Sequence, residues 1–349
     1  MRKAPAVTDL KLIFLYMTIC LTLVIRIYAE STGYISLDSR YYLEVSQNIL
    51  EGKGPYITWN VPADEDKNQE NQVLYIAWPL GYPLLISMVS KITGLGVFWS
   101  SKVVNMLSLG LIFLLLRIYY PRAAFACALY FCSFAMLENF SYTWSEGPFL
   151  LFVLIFCIAL ERYLAQSSRS ALLMVVASAI CMFLMRYVGL ISAFFTGLVN
   201  LYFLLYKKDW KKGFSLMAAS LVSAAAAFTY FLMNYLLAGS PWGGQRETTE
   251  ADTDILLFLD FLKGIFNSLF IFRNYYFQLP VDWLFIILGL IQFAVLGLAF
   301  YKVIYKKINL SFTSRDRTSL LLLGFGLLYI IFLIILKSLT HFDNFNYRI

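Results

Sequence analysis

Residues 10–29 read LKLIFLYMTICLTLVIRIYA, and residues 148–166 read PFLLFVLIFCIALERYLAQ. Each stretch consists mostly of apolar side chains, and as an α-helix it is long enough to cross ~30 Å of hydrocarbon. Similar stretches occupy residues 100–119, 123–141, 170–187, 189–206, 213–238, 283–304 and 319–339. The sequence therefore predicts an all-α polytopic membrane protein, a single domain over residues 1–349 with about nine transmembrane helices.

The composition excludes an ordinary soluble domain. Hydrophobic residues make up 60% of the chain and charged residues 14%, whereas soluble domains are roughly a quarter charged. All five cysteines lie inside apolar stretches, where cysteine behaves as a small hydrophobe. With His341 as the single histidine, a zinc centre built from histidine and cysteine is excluded.

The formal charge of +7 reflects topology. With a cytoplasmic N-terminus, four of the 21 acidic residues fall on the inside together with 16 of the 28 basic ones, namely Arg2, Lys3, Lys11, Arg117, Arg122, Arg162, Arg169, Lys207, Lys208, Lys211, Lys212, Lys302, Lys306, Lys307, Arg315 and Arg317. This bias follows the positive-inside rule, so it gives no reason to expect nucleic-acid binding. The first span is read as a retained anchor, because its apolar stretch has the length of a span and Arg26 precedes the possible cleavage site.

Two other apolar segments, residues 79–95 and 255–279, are expected to lie in the outer interface. The first contains two prolines, Pro79 and Pro83, and the second contains three charged residues, which are costly at the bilayer centre. The larger non-membrane regions, residues 30–99 and 238–282, are then both external. Function is expected there, because the inside loops are too short for a nucleotide-binding domain.

Asp38 opens a helical pattern in the first external loop, in which Tyr42, Val45 and Ile49 recur at helical spacing. One interpretation makes Asp38 the N-cap of that helix, a role that aspartate commonly takes. The other makes it a carboxylate held at the membrane surface, where it can act as a base or hold a cation.

Glu146 stands at the start of the fourth span. An acidic residue is common in the first turn of a helix, because it interacts favourably with the helix dipole. Two external carboxylates could nevertheless share one Mg²⁺ or Mn²⁺ through oxygen ligands. Asp38 and Glu146 are therefore the candidate ligands for a divalent cation, the only cofactor that the sequence raises.

Arg186 falls at the outer turn between two spans. A membrane-edge arginine commonly reaches out to water or lipid headgroups, but its planar guanidinium also suits a phosphate ligand. Arg246, in a glycine-rich external loop, raises the same two alternatives. Four further external cations are expected to be mainly headgroup partners, namely Arg40, Lys102, Arg273 and Arg348.

The order of these motifs resembles the GT-C superfamily of membrane glycosyltransferases, in its bacterial aminoarabinose-transferase and protein O-mannosyltransferase-like branch (family 39-type). The resemblance covers nearly the whole chain. It rests on Asp38 and the helix ending in residues 48–54 (NILEGKG), on residues 78–84 (WPLGYPL), on Ser145-Glu146, and on residues 186–190 (RYVGL), 234–240 (NYLLAGS) and 342–348 (FDNFNYR). Members usually continue beyond the last motif, so the chain is expected to lack the C-terminal part of the family.

The resemblance implies transfer of a sugar from a polyprenyl-phosphate donor to a lipid, glycan or protein acceptor at the external face of the membrane. Asp38 matches the position of the catalytic acid and Glu146 the second acidic position. Arg186, Arg246 and Arg348 match basic positions that could bind the donor phosphate. Further candidates for binding substrate lie in the same motifs, namely Arg40, Tyr42, Tyr82 and Tyr187.

Such a reaction needs one base to accept the proton of the acceptor and cationic groups to stabilise the leaving phosphate, and a single displacement inverts the anomeric centre. The resemblance also implies a bacterial inner membrane. Two alternatives remain. A lipid-sugar flippase is expected to show inverted repeats, which the sequence lacks, and a non-catalytic GT-C-like subunit would keep the fold without the reaction.

Overall fold

The computed structural model describes residues 6–58, 72–121, 123–243 and 314–339, together with five isolated positions between 287 and 298. The helices in these ranges are α1 (Ala6–Ala29), α2 (Leu37–Leu50), α3 (Gly81–Thr93), α4 (Val97–Tyr119), α5 (Ala124–Leu129), α6 (Phe134–Ser141), α7 (Glu146–Gln166), α8 (Arg169–Met185), α9 (Ile191–Leu201), α10 (Trp210–Ala238) and α11 (Ser314–Leu339). Strands β1 (Tyr56–Thr58) and β2 (Gln72–Leu74) pair antiparallel, with Tyr56 opposite Leu74. Short 3₁₀ turns cover Tyr130–Cys132 and Tyr187–Leu190, and a π-helical turn covers Tyr202–Tyr206.

The all-α polytopic prediction is confirmed. Six helical stretches of the described chain are long and apolar enough to cross a membrane, namely Asp9–Ala29, Val97–Tyr119, Glu146–Gln166, Tyr187–Tyr206, Trp210–Ala238 and Arg317–Leu336. The predicted span at 123–141 is instead a pair of helices, α5 and α6, bent by 71° at their junction. Helix α8 corresponds to the predicted span at 170–187 but has only 17 residues. The predicted segments at 255–279 and 283–304 lie outside the described residues, apart from the isolated positions.

Helix α3 occupies the predicted interfacial segment at 79–95. Its 13 residues are too few for a span. One face is buried, with Tyr82 and Ile86 at 0% exposure, while Met88 and Ile92 on the other face are 52% and 75% exposed. This two-sided pattern is typical of a helix that lies along the membrane surface.

The core of the bundle forms around α7 and α8, which are neighbours along the chain and pack side by side. Buried Phe156 and Leu160 of α7 belong to the same apolar cluster as Met182 of α8. In α7, 61% of the most apolar stretch is buried, whereas in α11 the figure is 11%. Helix α7 therefore lies inside the described bundle, and α11 packs on its outside.

Two ion pairs join charged side chains of different helices. Arg26 near the end of α1 forms an ion pair with Glu138 of α6. Arg317 of α11 lies 3.2 Å from Glu161 of α7, whose side chain is 3% exposed. Pairing limits the cost of placing a charge in an apolar bundle, and these ion pairs connect α1 and α11 to the core helices.

A close backbone approach positions α3 against α8. A Cβ added at Gly81 would lie 2.5 Å from the carbonyl oxygen of Leu184. This clash is with the backbone, so it could be removed only if one of the two helices moved. Only glycine therefore allows α3 to pack directly against the end of α8.

We expect Gly81→Ala to destabilise the protein by about 1–3 kcal/mol, the usual cost of overpacking a core. The measurement is the thermal unfolding midpoint in detergent micelles. Gly96→Ala is the matched control, because no atom lies within 4 Å of a Cβ built there. Equal midpoints for the two variants would show that α3 does not need this contact.

Candidate active site at the end of the bundle

The candidate residues gather at one end of the bundle, here called the site end. Helices α1, α6, α8 and α10 end there and α4 and α7 begin there, as contacts between these termini show. Helices α2 and α3 and the hairpin cover this end of the bundle. The motif-bearing segments that lie within the described residues thus meet in space.

Asp38 lies in the first turn of α2 but is not its N-cap. The cap is Ser36, whose hydroxyl accepts a hydrogen bond from the backbone N–H of Ser39 at 3.3 Å. The N-cap interpretation of Asp38 is therefore wrong. A serine hydroxyl caps as well as a carboxylate, and the chain leaves the extended conformation at Ser36. Asp38 is therefore not needed to cap the helix.

Two hydrogen bonds join the segment that carries Asp38 to the segment that precedes Glu146. The hydroxyl of Ser39 donates to the carbonyl of Thr143 at 3.1 Å, and the indole N–H of Trp144 donates to the hydroxyl of Ser36 at 2.8 Å. These residues are more than a hundred positions apart in the sequence. The beginnings of α2 and α7 are thereby held next to each other.

Glu146 begins α7, as predicted, and its carboxylate forms an ion pair with Arg186 at the end of α8. Their side chains are only 13% and 20% exposed. The hydroxyl of Tyr329, on α11, also lies within electrostatic range of Arg186. Arg186 is therefore half-enclosed and bound to a carboxylate rather than extended to the surface.

Tyr42, on α2, contacts the segment that leads into Glu146. Its hydroxyl lies 3.4 Å from the hydroxyl of Ser145. Burial raises the pKa of Tyr42, and the charges of Glu146, Arg186 and Asp38 also act on its hydroxyl. Three charged groups from different parts of the chain are thus within electrostatic range of one buried point.

Two more tyrosines surround Tyr42. The ring of Tyr82 meets it edge to face at 5.1 Å, and the hydroxyl of Tyr82 donates to Asn105 at 3.3 Å. The ring of Tyr75 lies 6.4 Å from that of Tyr42. The hydroxyl of Tyr75 is buried and has no hydrogen-bond partner in the described structure, and burial raises its pKa.

A groove of about 360 Å³ opens beside Tyr75. One wall is formed by the hairpin region and the other by the second half of α10. Its lining residues are Pro55, Leu74, Tyr75, Leu80, Ala226, Thr229, Tyr230, Met233, Asn234 and Leu237. Most of these side chains are apolar, and Met233 and Leu237 are 50% and 66% exposed, so the groove is continuous with the apolar surface of α10.

Tyr187 helps to hold the two walls of this groove together. Its hydroxyl donates to the carbonyl of Ile76 at 2.8 Å, and the backbone N–H of Leu80 donates to the hydroxyl of Tyr230 at 3.2 Å. Asn234 donates to the carbonyl of Pro241 at 2.9 Å. Tyr187 was predicted to bind substrate. In the structure its hydroxyl binds the backbone of Ile76, and Tyr187 is not one of the residues that line the groove.

The structure places the other candidates as follows. Arg246, Arg273 and Arg348 lie outside the described residues. Arg40 is exposed on α2. Lys102, expected to bind headgroups, is instead 0% exposed, so that expectation is wrong.

The predicted shared metal site gains no further ligand in the described part of the chain. Among those residues no group of three or more histidine, cysteine, aspartate or glutamate side chains comes together. Of the two predicted ligands, Glu146 already binds the guanidinium of Arg186.

Two residues at this site, Tyr75 and Asn105, were not identified from the sequence. A signal for Asn105 was present, because Ser101, Asn105 and Ser108 are spaced to share one face of α4. All three are buried. A polar stripe within an apolar span indicates a face that is turned toward other polar groups.

Comparison with solved structures shows a likeness of fold. ArnT from Cupriavidus metallidurans bound to undecaprenyl phosphate superposes with a TM-score of 0.54 at 16% identity, over 96% of this chain and 57% of that chain. ArnT from the same organism in the apo state matches with a TM-score of 0.43 at 14% identity, over 84% of this chain and 54% of that chain. This chain thus spans a little over half the length of those structures. No protein-family model and no curated protein matches it.

Removal of one partner of the buried ion pair isolates the other. We expect Glu146→Gln to destabilise the protein by roughly 3 kcal/mol, because Arg186 would remain enclosed without its carboxylate. The double variant Glu146→Gln/Arg186→Met should recover part of that loss. Unfolding midpoints of the two single variants, the double variant and the wild type complete the cycle. Additive effects would show that the two charges do not interact.

Proposed function

We propose that this protein transfers a sugar from a polyprenyl-phosphate donor to a lipid, glycan or protein acceptor, at the site end of the bundle. One observation carries the proposal: hydrogen bonds of Ser36 and Ser39 hold the turn that carries Asp38 against the segment that leads into the Glu146–Arg186 ion pair. The GT-C-type fold, shared with a structure bound to undecaprenyl phosphate, supports the same donor class.

In this proposal Asp38 is the general base. The acceptor hydroxyl attacks the anomeric carbon of the sugar and passes its proton to the Asp38 carboxylate. The bond between that carbon and the phosphate oxygen breaks, and polyprenyl phosphate leaves with the bonding electron pair. A single displacement of this kind inverts the anomeric centre, and it needs one base. Asp38 suits the role because Ser36 already caps α2.

Arg186 supplies positive charge near the leaving phosphate, and Glu146 holds the guanidinium in place. A fixed cation in an enclosed site stabilises developing negative charge without reorganisation at the moment of reaction. This role for Glu146 differs from the predicted one, in which it shared a metal ion with Asp38. Arg246 and Arg348 remain predicted phosphate ligands.

The groove beside Tyr75 is proposed to receive the first isoprene units of the donor. Its lining is mainly apolar, and it joins the exposed apolar surface of α10. A lipid chain could therefore enter from the bilayer while its phosphate reaches the charged cluster. The external orientation of the site and a bacterial inner membrane are part of this proposal.

The first experiment supplies purified protein in lipid with a panel of radiolabelled polyprenyl-phosphate sugars. We expect turnover of one donor, and we expect Asp38→Asn to lower its rate by about 10²–10⁴-fold, the usual contribution of a general base. Glu51→Gln is the control, because it removes an exposed carboxylate at the other end of α2.

Undiminished transfer by folded Asp38→Asn protein would remove Asp38 from the reaction. Saturable donor binding without turnover of any donor would favour a non-catalytic GT-C-like subunit instead. Movement of an intact donor across vesicles would favour a flippase.

Filling the groove should weaken donor binding. We expect Ala226→Trp to raise the KM for the polyprenyl donor about ten-fold and to change kcat little, because losing the burial of two methylene groups costs about that much. Leu236→Trp is the matched control, since Leu236 lies on the same helix outside the groove and is 68% exposed. Equal KM values for both variants would place the lipid chain elsewhere.

A further inference from the structure

Lys102 is a buried cation that the proposed reaction does not use. It lies one turn into α4 at 0% exposure. Its ammonium group donates to the carbonyl of Ser141 at 2.8 Å and to the carbonyl of Tyr34 at 3.3 Å. The ring of Phe98 lies 5.0 Å away. In the part of the chain that the structure describes, no carboxylate lies within 4 Å of this ammonium group.

The two carbonyls that Lys102 binds belong to the two segments that lead into the site. Tyr34 lies four residues before Asp38, and Ser141 lies five residues before Glu146. The ammonium group therefore bridges both segments immediately before they reach the charged cluster. No other described lysine or arginine side chain donates to backbone carbonyls of both segments.

The backbone at Tyr34 needs to be held in place by contacts with other parts of the protein. Gly33 and Tyr34 have φ values of +60° and +57°, and a tyrosine in this left-handed region is unfavourable. The carbonyl of Tyr34 also accepts a hydrogen bond from the backbone N–H of Thr143 at 3.4 Å. Surrounding contacts of this kind are what maintain a strained backbone conformation.

Neighbouring side chains of α4 make parallel contacts to the second segment. The hydroxyl of Ser101 lies 2.8 Å from that of Thr143, and Asn105 donates to the carbonyl of Tyr142 at 2.8 Å. Of the two segments that lead into the site, Ser101 and Asn105 contact only residues 141–145, whereas Lys102 contacts both segments. A long side chain with several N–H donors is required for that reach.

We infer that Lys102 is a positioning residue, whose ammonium group sets the placement of the Asp38 segment relative to the Glu146 segment. This inference rests on the proposed function for its effect on turnover. The placement itself can be measured without any substrate.

The test uses full-length protein in lipid nanodiscs, with Lys102→Met, Lys102→Gln and Lys102→Arg variants. Lys91→Met is the control, because Lys91 is exposed on α3. Amide hydrogen exchange is followed in residues 33–39 and 141–145. We expect Lys102→Met to accelerate exchange at least ten-fold in both segments and to leave α7 and α8 unchanged. Lys102→Arg should restore most of the protection, because it keeps the charge and the donors.

With a donor that the wild type turns over, we expect Lys102→Met to lower kcat about a hundred-fold and to change the donor KM less than two-fold. The kcat is expressed per folded enzyme, so that a purely structural role, which lowers the amount of folded enzyme, would leave this value unchanged. Wild-type exchange rates in Lys102→Met would overturn the inference. So would unfolding of both the Met and the Gln variants while Lys91→Met stays folded, since Lys102 would then be a stability residue. Absence of turnover by the wild type would contradict the proposed function alone, because the exchange result stands independently.

Discussion

The ion pair between Glu146 and Arg186 is the interaction on which the site end depends. Both side chains are largely enclosed, and an isolated charge in such surroundings is strongly unfavourable. Each charge therefore requires the other, and the requirement places the beginning of α7 against the end of α8. Because these two helices also form the packed core of the bundle, the pair has a rigid support. Tyr42, Ser36 and Ser39 contact the segment that leads into α7, so the first turn of α2, which carries Asp38, lies next to this support.

A second constraint comes from the polar contacts between residues 33–39 and 141–145. Neither segment is regular structure throughout, so its backbone groups need partners from elsewhere. Ser39, Trp144 and Lys102 supply those partners. Groups held in this way need little reorganisation when charge develops, which is the physical basis of electrostatic catalysis. The same contacts explain why a helix that is not a span, α2, can hold a carboxylate at a defined position.

Much of the fold was predictable because membrane spans depend on local hydropathy. Eight of the nine predicted spans correspond to described helices or helix pairs, and the ninth lies mostly outside the described residues. The bend between α5 and α6 was not predicted, since both halves are apolar; the break occurs at Ser133, whose side chain caps α6. The placement of Lys102 was also missed. A lysine near a span end ordinarily extends its ammonium group to water. Lys102 can stay buried because its ammonium group instead donates to the carbonyls of Tyr34 and Ser141, which are distant in the sequence.

By itself, the sequence determined that the chain is a helical membrane protein, approximately where its helices begin and end, and which segments carry polar candidates. These properties follow from side-chain hydropathy and spacing, which are local. Only the tertiary structure decided that Glu146 binds Arg186, that Ser36 rather than Asp38 caps α2, and that Lys102 is buried between two segments. Each of these depends on which groups meet after packing, and residues more than a hundred positions apart can meet only when the helices between them are assembled.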